Sequence, residues 1–119
     1  MVNVQIFGVK NSSATRAAER FFKERRIPLQ FVDLKQKPMS PGEIKRFIDR
    51  FGLRGLLDVE GKAYVDDGLK YLKLTDAELL GRIERNPALM LLPLVRAVGP
   101  GPLRIAIGKD EDGWKAMLD

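Results

Sequence analysis

Residues 10–16 read Lys10-Asn11-Ser12-Ser13-Ala14-Thr15-Arg16, a run of hydroxyl, amide and cationic side chains that opens a helical pattern. A hydroxyl at such a position can act in two ways. It can cap the helix, or it can attack an electrophile once a neighbouring base removes its proton. The usual base is histidine, and this chain of 119 residues contains none; it contains no cysteine either. Thiol redox chemistry, disulfides, thiolate-zinc sites and iron–sulfur clusters are therefore closed to it, and only an all-oxygen metal site would remain. Lys10 could serve as the base only if desolvated and well placed, which spacing does not establish. The same turn could hold phosphate, sulfate or carboxylate through backbone amides at the helix N-terminus, making Lys10, Asn11, Ser12, Ser13 and Arg16 anion-binding candidates. Helix capping is the competing reading for these residues.

The elements that position this turn can be traced along the chain. Residues 2–7 alternate apolar and polar with β-branched residues on one parity, as a strand does. Residues 14–26 carry Ala14, Ala17, Ala18, Phe21 and Phe22 at helical spacing, with Ser12 or Ser13 as N-cap and Pro28 barring continuation. Residues 29–34 alternate again, giving a parallel βαβ unit. Ser40-Pro41-Gly42-Glu43 is a capping box for a helix that Gly52 stops, and Thr75 with Glu78 opens another that ends before Asn86-Pro87. Residues 53–74 are the least periodic and predict short helical turns and loops. Residues 94–98 and 103–107 predict a hairpin around Gly99-Pro100-Gly101-Pro102, with Arg96 and Arg104 on its polar side. Residues 110–118 predict a last helix, with Trp114, Met117 and Leu118 sealing it onto the sheet. The expected fold class is α/β, one mixed four-stranded sheet covered by helices.

The order β-α-β, helical insertion, β-β-α is the thioredoxin-like arrangement, and specific stretches carry a closer likeness. FGVKNSSATRAAERFFKERRIPLQFVDL, PMSPGEIKRFI, LLGRIERNPALMLLPLV and IGKDEDGWKAML together resemble the arsenate reductase/Spx family over roughly residues 4–118. The resemblance implies a single domain over residues 1–119, with a thioredoxin-like core at about 2–36 and 93–119 and an insertion at about 40–92. It further implies a nucleophilic cysteine at position 12, in the family often followed by a second cysteine at position 15; Ser12 and Thr15 stand there, and Arg16 is kept. It also implies an Arg-Pro pair before the third strand, the arginine assisting the site and the proline cis. Here Leu92 replaces the arginine and Pro93 is retained. Helix-terminal amides favour a thiolate, whereas a serine hydroxyl gains no comparable nucleophilicity there. These substitutions lead us to expect no thiol-dependent arsenate reduction, no cofactor and no metal.

Two functions remain open on these residues. One is a redox-inactive member kept for binding, the Spx branch implying a protein partner such as the transcription machinery. The other is an enzyme that holds a small anion or a glutathione-like substrate at the Ser12 turn. A third, weaker reading follows from charge: residues 1–56 hold 12 Lys/Arg against 5 Asp/Glu and residues 57–119 hold 9 against 11. Such asymmetry could attract nucleic acid. Against it, Arg16, Arg20, Lys23 and Arg26 interleave with Glu19 and Glu24 as ordinary intrahelical pairs do, and no aromatic side chains alternate with them. Gly61-Lys62 lacks the rest of a phosphate-binding loop and predicts a turn, and Asp110-Glu111-Asp112 predicts first-turn acids of the last helix, not a calcium loop. No signal peptide and no spanning segment are read, which predicts a cytoplasmic protein with no membrane partner.

Overall fold

A computed structural model describes residues 2–118. The chain divides into two units, residues 1–37 with 92–119, and residues 38–91. The first unit is built on a mixed four-stranded sheet in the order β2-β1-β3-β4, with β1 at Asn3–Gly8, β2 at Leu29–Asp33, β3 at Leu94–Val98 and β4 at Ile105–Ile107. β1 pairs parallel with β2 in the register Val4 to Leu29, and antiparallel with β3 in the register Phe7 to Leu94. Helix α1, Ser13–Glu24, makes the crossover between the parallel strands, as the βαβ reading requires.

Alternation along the strands sorts the sheet into two faces. Val4, Ile6, Val95 and Ala106 meet Ala18, Phe21 and Phe22 of α1, and Trp114 and Met117 from the C-terminal helical segment, in one buried cluster. Trp114 sits 5.4 Å from the Phe21 ring and 6.3 Å from the Phe22 ring, within the range for favourable aromatic pairs. On the opposite face Arg96 Nη1 donates to Gln5 Oε1 at 2.6 Å, and Gln5 Nε2 donates to Gln30 Oε1 at 2.9 Å, a polar chain across three strands.

The second unit is helical. α2, Pro41–Phe51, begins with the Ser40–Glu43 capping box and ends at Gly52, whose φ of 80° suits glycine. Short helical turns at Arg54–Leu56 and Leu69–Tyr71 flank α3, Lys62–Asp66. α4, Asp76–Arg85, carries the second capping box, and a last turn spans Pro87–Leu89. The Leu57–Met90 bridge and the Leu91 N–H donating to the Leu56 carbonyl at 2.7 Å close the ends of this stretch on each other.

Three details depart from the sequence reading. α1 stops at Glu24, two residues early, because Arg26 takes a left-handed φ of 58° that a helix cannot continue through. β4 starts at Ile105, not residue 103, since Pro102 has no N–H to donate and Gly99 and Gly101 have φ of 146° and 107°. Gly61 is the N-cap of α3 and not merely a turn residue. The closing helix α5 spans Glu111–Ala116, its N-cap Asp110 accepting from the Gly113 N–H. No described helix is long and apolar enough to cross a membrane.

Candidate functional site

The run at 10–16 sits where β1 hands over to α1. β1 carries the chain to Gly8, Lys10 and Asn11 form an exposed turn, and Ser12 enters the helix in extended conformation, φ −85° and ψ 120°. The turn is closed by the Ser12 N–H donating to the Val9 carbonyl at 3.1 Å. Ser12 Oγ accepts from the Thr15 N–H at 3.2 Å, satisfying one orphan amide of the first turn. The Ser12 hydroxyl is thus bonded to the backbone and not to Lys10.

Arg16 stays exposed but folds back, its Nη1 donating to the Lys10 carbonyl at 3.2 Å. That bond keeps a guanidinium charge on the turn, which helix-terminal partial charge alone would not do. Ser13 is exposed at the first helical position. Lys10 also borders a shallow depression of about 350 Å³ shared with Asp33, Gln36 and Lys37, so its ammonium group stands among charges of both signs.

Thr15, the other position where the resemblance implies a cysteine, is fully buried, and its Oγ1 has no hydrogen-bond partner. It lies against Gly8 so closely that a Cβ there would come within 2.5 Å of Thr15 Oγ1 and 2.6 Å of its Cγ2. The sequence reading did not find this contact. The one sequence signal at hand is a glycine at the end of a strand, which can mark close approach of another element but does not say which one.

Leu92 is buried and the Leu92–Pro93 peptide is cis. The pairing of Phe7 with Leu94 sets Pro93 at the same end of the sheet as Gly8, and the Pro93 carbonyl accepts from the Gly108 N–H at 3.0 Å. Lys10, Ser12, Thr15 and Arg16 are thus gathered at the β1–α1 junction, with Pro93 at the adjoining strand end. What the junction offers is a capped helix N-terminus with one tethered guanidinium. It offers no sulfur and no imidazole. Among the described residues no group of three or more carboxylates comes together to hold a metal ion.

Residues 7–117 match the family model described as the ArsC family. The chain belongs to the ArsC family. It is 31% identical to an arsenate reductase of Neisseria meningitidis serogroup A over 121 residues, covering 99% of this chain and all of that one. An arsenate reductase of serogroup B of the same species matches equally. The fold is shared with the solved YFFB protein, at a TM-score of 0.79, 19% identity and coverage of 98% of this chain and 99% of that one. It is shared also with an arsenate reductase from Vibrio cholerae, at a TM-score of 0.71, 19% identity and coverage of 98% and 97%. This ArsC-family chain is therefore α/β with a thioredoxin-like mixed sheet, and it carries no cysteine.

Proposed function

We propose that this chain is a redox-inactive member of the ArsC family, retained as a binding or regulatory module with a protein partner. The observation that carries this reading is at Ser12: where the resemblance implies a thiolate, the side-chain oxygen is engaged as a helix cap toward the Thr15 N–H. Reducing arsenate to arsenite moves two electrons onto arsenic, and in thiol chemistry two sulfurs supply them while becoming a disulfide. A serine oxygen cannot take either sulfur's place, because an O–O or O–S link is no comparable electron store. The methionine thioethers have no thiolate form, and no cysteine occurs elsewhere in the sequence.

The missing partners extend the same argument. Thr15 holds a buried hydroxyl in place of a second thiol, and Leu92 puts an apolar, buried side chain where the resemblance implies an arginine. Arsenate turnover with glutathione as electron donor tests the reading; the expected rate equals that of the protein-free mixture. Protein-dependent arsenite production that tracks the folded chain would overturn it.

A second reading is favoured by the Arg16–Lys10 bond, which keeps a cation at the α1 N-terminus. It makes the chain a binder, or an enzyme, of a small anion or glutathione-like substrate through Lys10, Asn11, Ser12, Ser13 and Arg16. Titration with phosphate, arsenate and glutathione followed at the amides of residues 10–17 decides it. Amides that do not shift there discard it.

A further inference from the structure

We infer that the outer edge of β2 is a docking edge for an extended, acidic segment of a protein partner, which adds to the sheet as a further strand. The inference gives a surface and a chemistry to the protein partner proposed above and rests on that reading. Its test is separable from the arsenate assay, which reads the same whether or not this edge is occupied.

The first ground is the phase of the ladder. β2 is an end strand and pairs with β1 alone. The Val4 N–H donates to the Pro28 carbonyl at 3.0 Å, and the Leu34 N–H donates to the Gly8 carbonyl at 2.9 Å. Backbone groups in a parallel ladder turn alternately toward the neighbour and away from it, so residues 28, 30, 32 and 34 serve β1 while Leu29, Phe31 and Asp33 face outward. The Asp33 carbonyl is used, accepting from the Gln36 N–H at 3.0 Å and the Lys37 N–H at 2.9 Å. Among the described residues nothing bonds the N–H and carbonyl groups of Leu29 and Phe31, or the N–H of Asp33. The usual devices that blunt an edge are missing from the strand itself: the register runs from Leu29 to Asp33 without a bulge, and neither lysine nor proline interrupts it.

The second ground is shape. Successive side chains leave a strand toward opposite faces, so a hollow lined by a consecutive run of residues lies along the strand's edge. Gln30, Phe31, Val32 and Asp33 all line the depression of about 350 Å³ that Lys10 borders.

Charge decides the occupant, and here the charges line the hollow itself. Lys10 and Lys37 stand in its wall against the one carboxylate of Asp33, whose Oδ1 accepts from the Lys35 N–H at 3.0 Å. Neither lysine ammonium is paired among the described residues. The Arg16 guanidinium, held on the Lys10 carbonyl, adds to the same sign. A second copy of this chain is the poorer occupant. Edge pairing of two copies closes only about a two-fold axis, which makes the added strand antiparallel. Each copy's Lys10 and Lys37 end would then lie toward the exposed Arg25 and Arg26 that precede β2 in the other. Like charges brought together in this way reject a partner, whereas an acidic strand meets complementary charge.

The full-length chain, isotopically labelled, is mixed with a short synthetic peptide in which valine and glutamate alternate, and amide hydrogen exchange is followed by NMR. The amides of Gln30 and Val32, bonded to β1, should exchange slowly throughout. Those of Leu29, Phe31 and Asp33 should exchange fast in the free chain and slow about tenfold at roughly ten times the peptide's dissociation constant. Lys37→Glu should weaken binding severalfold, and because Lys37 is exposed the variant should keep the wild-type spectrum elsewhere. Equal binding of the fully N-methylated peptide would mean attraction without strand pairing and would overturn the proposal. So would equal binding of a peptide with lysine in place of glutamate, binding that leaves the Leu29, Phe31 and Asp33 amides fast, or no binding at all. Protection of those amides on raising the concentration of the chain alone would also overturn it, by assigning the edge to a second copy.

Discussion

Gly8→Ala puts one methyl group where the β1–α1 junction has no room for it. The added Cβ would lie 2.5 Å from Thr15 Oγ1, 2.6 Å from Cγ2 and 3.1 Å from its Cβ, whereas carbon and oxygen normally keep more than 3 Å apart. Thr15 cannot swing outward, being fully buried and β-branched on a helix, where its χ1 choices are few. Two effects then compete. Gly8 is not among the glycines with positive φ, so alanine suits its backbone and restricts the unfolded chain, a gain of about 0.4–1 kcal/mol. Overpacking of a filled core costs about 1–3 kcal/mol, so a net loss of about 1–2 kcal/mol is expected. Urea unfolding followed by circular dichroism reads it as a lower midpoint with unchanged slope. Thr15→Ala removes the two nearest atoms, so Gly8→Ala/Thr15→Ala should lose clearly less than the two single losses added together. A Gly8→Ala midpoint at or above wild type refutes the reasoning. Additivity to within about 0.5 kcal/mol does so equally, because residues in true contact do not behave as independent sites.

Ser12→Ala should cost about 1 kcal/mol through loss of the cap to the Thr15 amide, while Ser12→Asp, which can still accept that bond, should recover most of it in the same denaturation assay. Ser12→Cys should yield a thiol that titrates below the ordinary value of about 8.5, read from thiolate absorbance, because the helix N-terminus favours the anion. Without an added thiol, that variant should form no arsenite from arsenate, since position 15 supplies no second thiol to complete a disulfide. Trp114→Ala should destabilise by about 3–5 kcal/mol, measured by thermal unfolding, as it empties the centre of the aromatic cluster. The hydrogen bond from Lys62 to Asp66, and then the charge of Asp66, hold the Lys62 ammonium above its ordinary 10.5. Whatever stability the pair adds is present below 10.5 and is lost as pH rises through the raised value; Asp66→Asn should return the Lys62 titration, followed by NMR, to near 10.5.

Much of the thioredoxin-like unit was legible because its signals are local. Period-two alternation in 2–7 and 29–34, two capping boxes and a proline-glycine turn each announce themselves within a few residues. The N-cap at Ser12 was legible for the same reason. The Gly8–Thr15 contact was not, because it depends on how closely a strand end and a helix approach, which spacing in one chain does not encode. The leucines of 57–79 were legible only as an apolar set without period. They line a concavity because short helical turns reverse the chain repeatedly, and periodicity has nothing to count there. The three-strand chain of Arg96, Gln5 and Gln30 joins positions 25 and 91 apart, beyond any window a local pattern can use.

The contacts that close residues 56–58 onto 89–91 also bear on how the sheet assembles. β3 must find β1 across the whole of residues 38–91, and the entropy of closing such a loop rises with its length. If the Leu57–Met90 bridge and the Leu91 to Leu56 hydrogen bond form first, the flexible path between the strands shrinks to little more than the stretch around α2. At about 0.6 kcal/mol per halving of loop length, that shortcut lowers the closure cost by roughly 1 kcal/mol. In that order of events the insertion would serve as a clasp that brings the two halves of the sheet within reach.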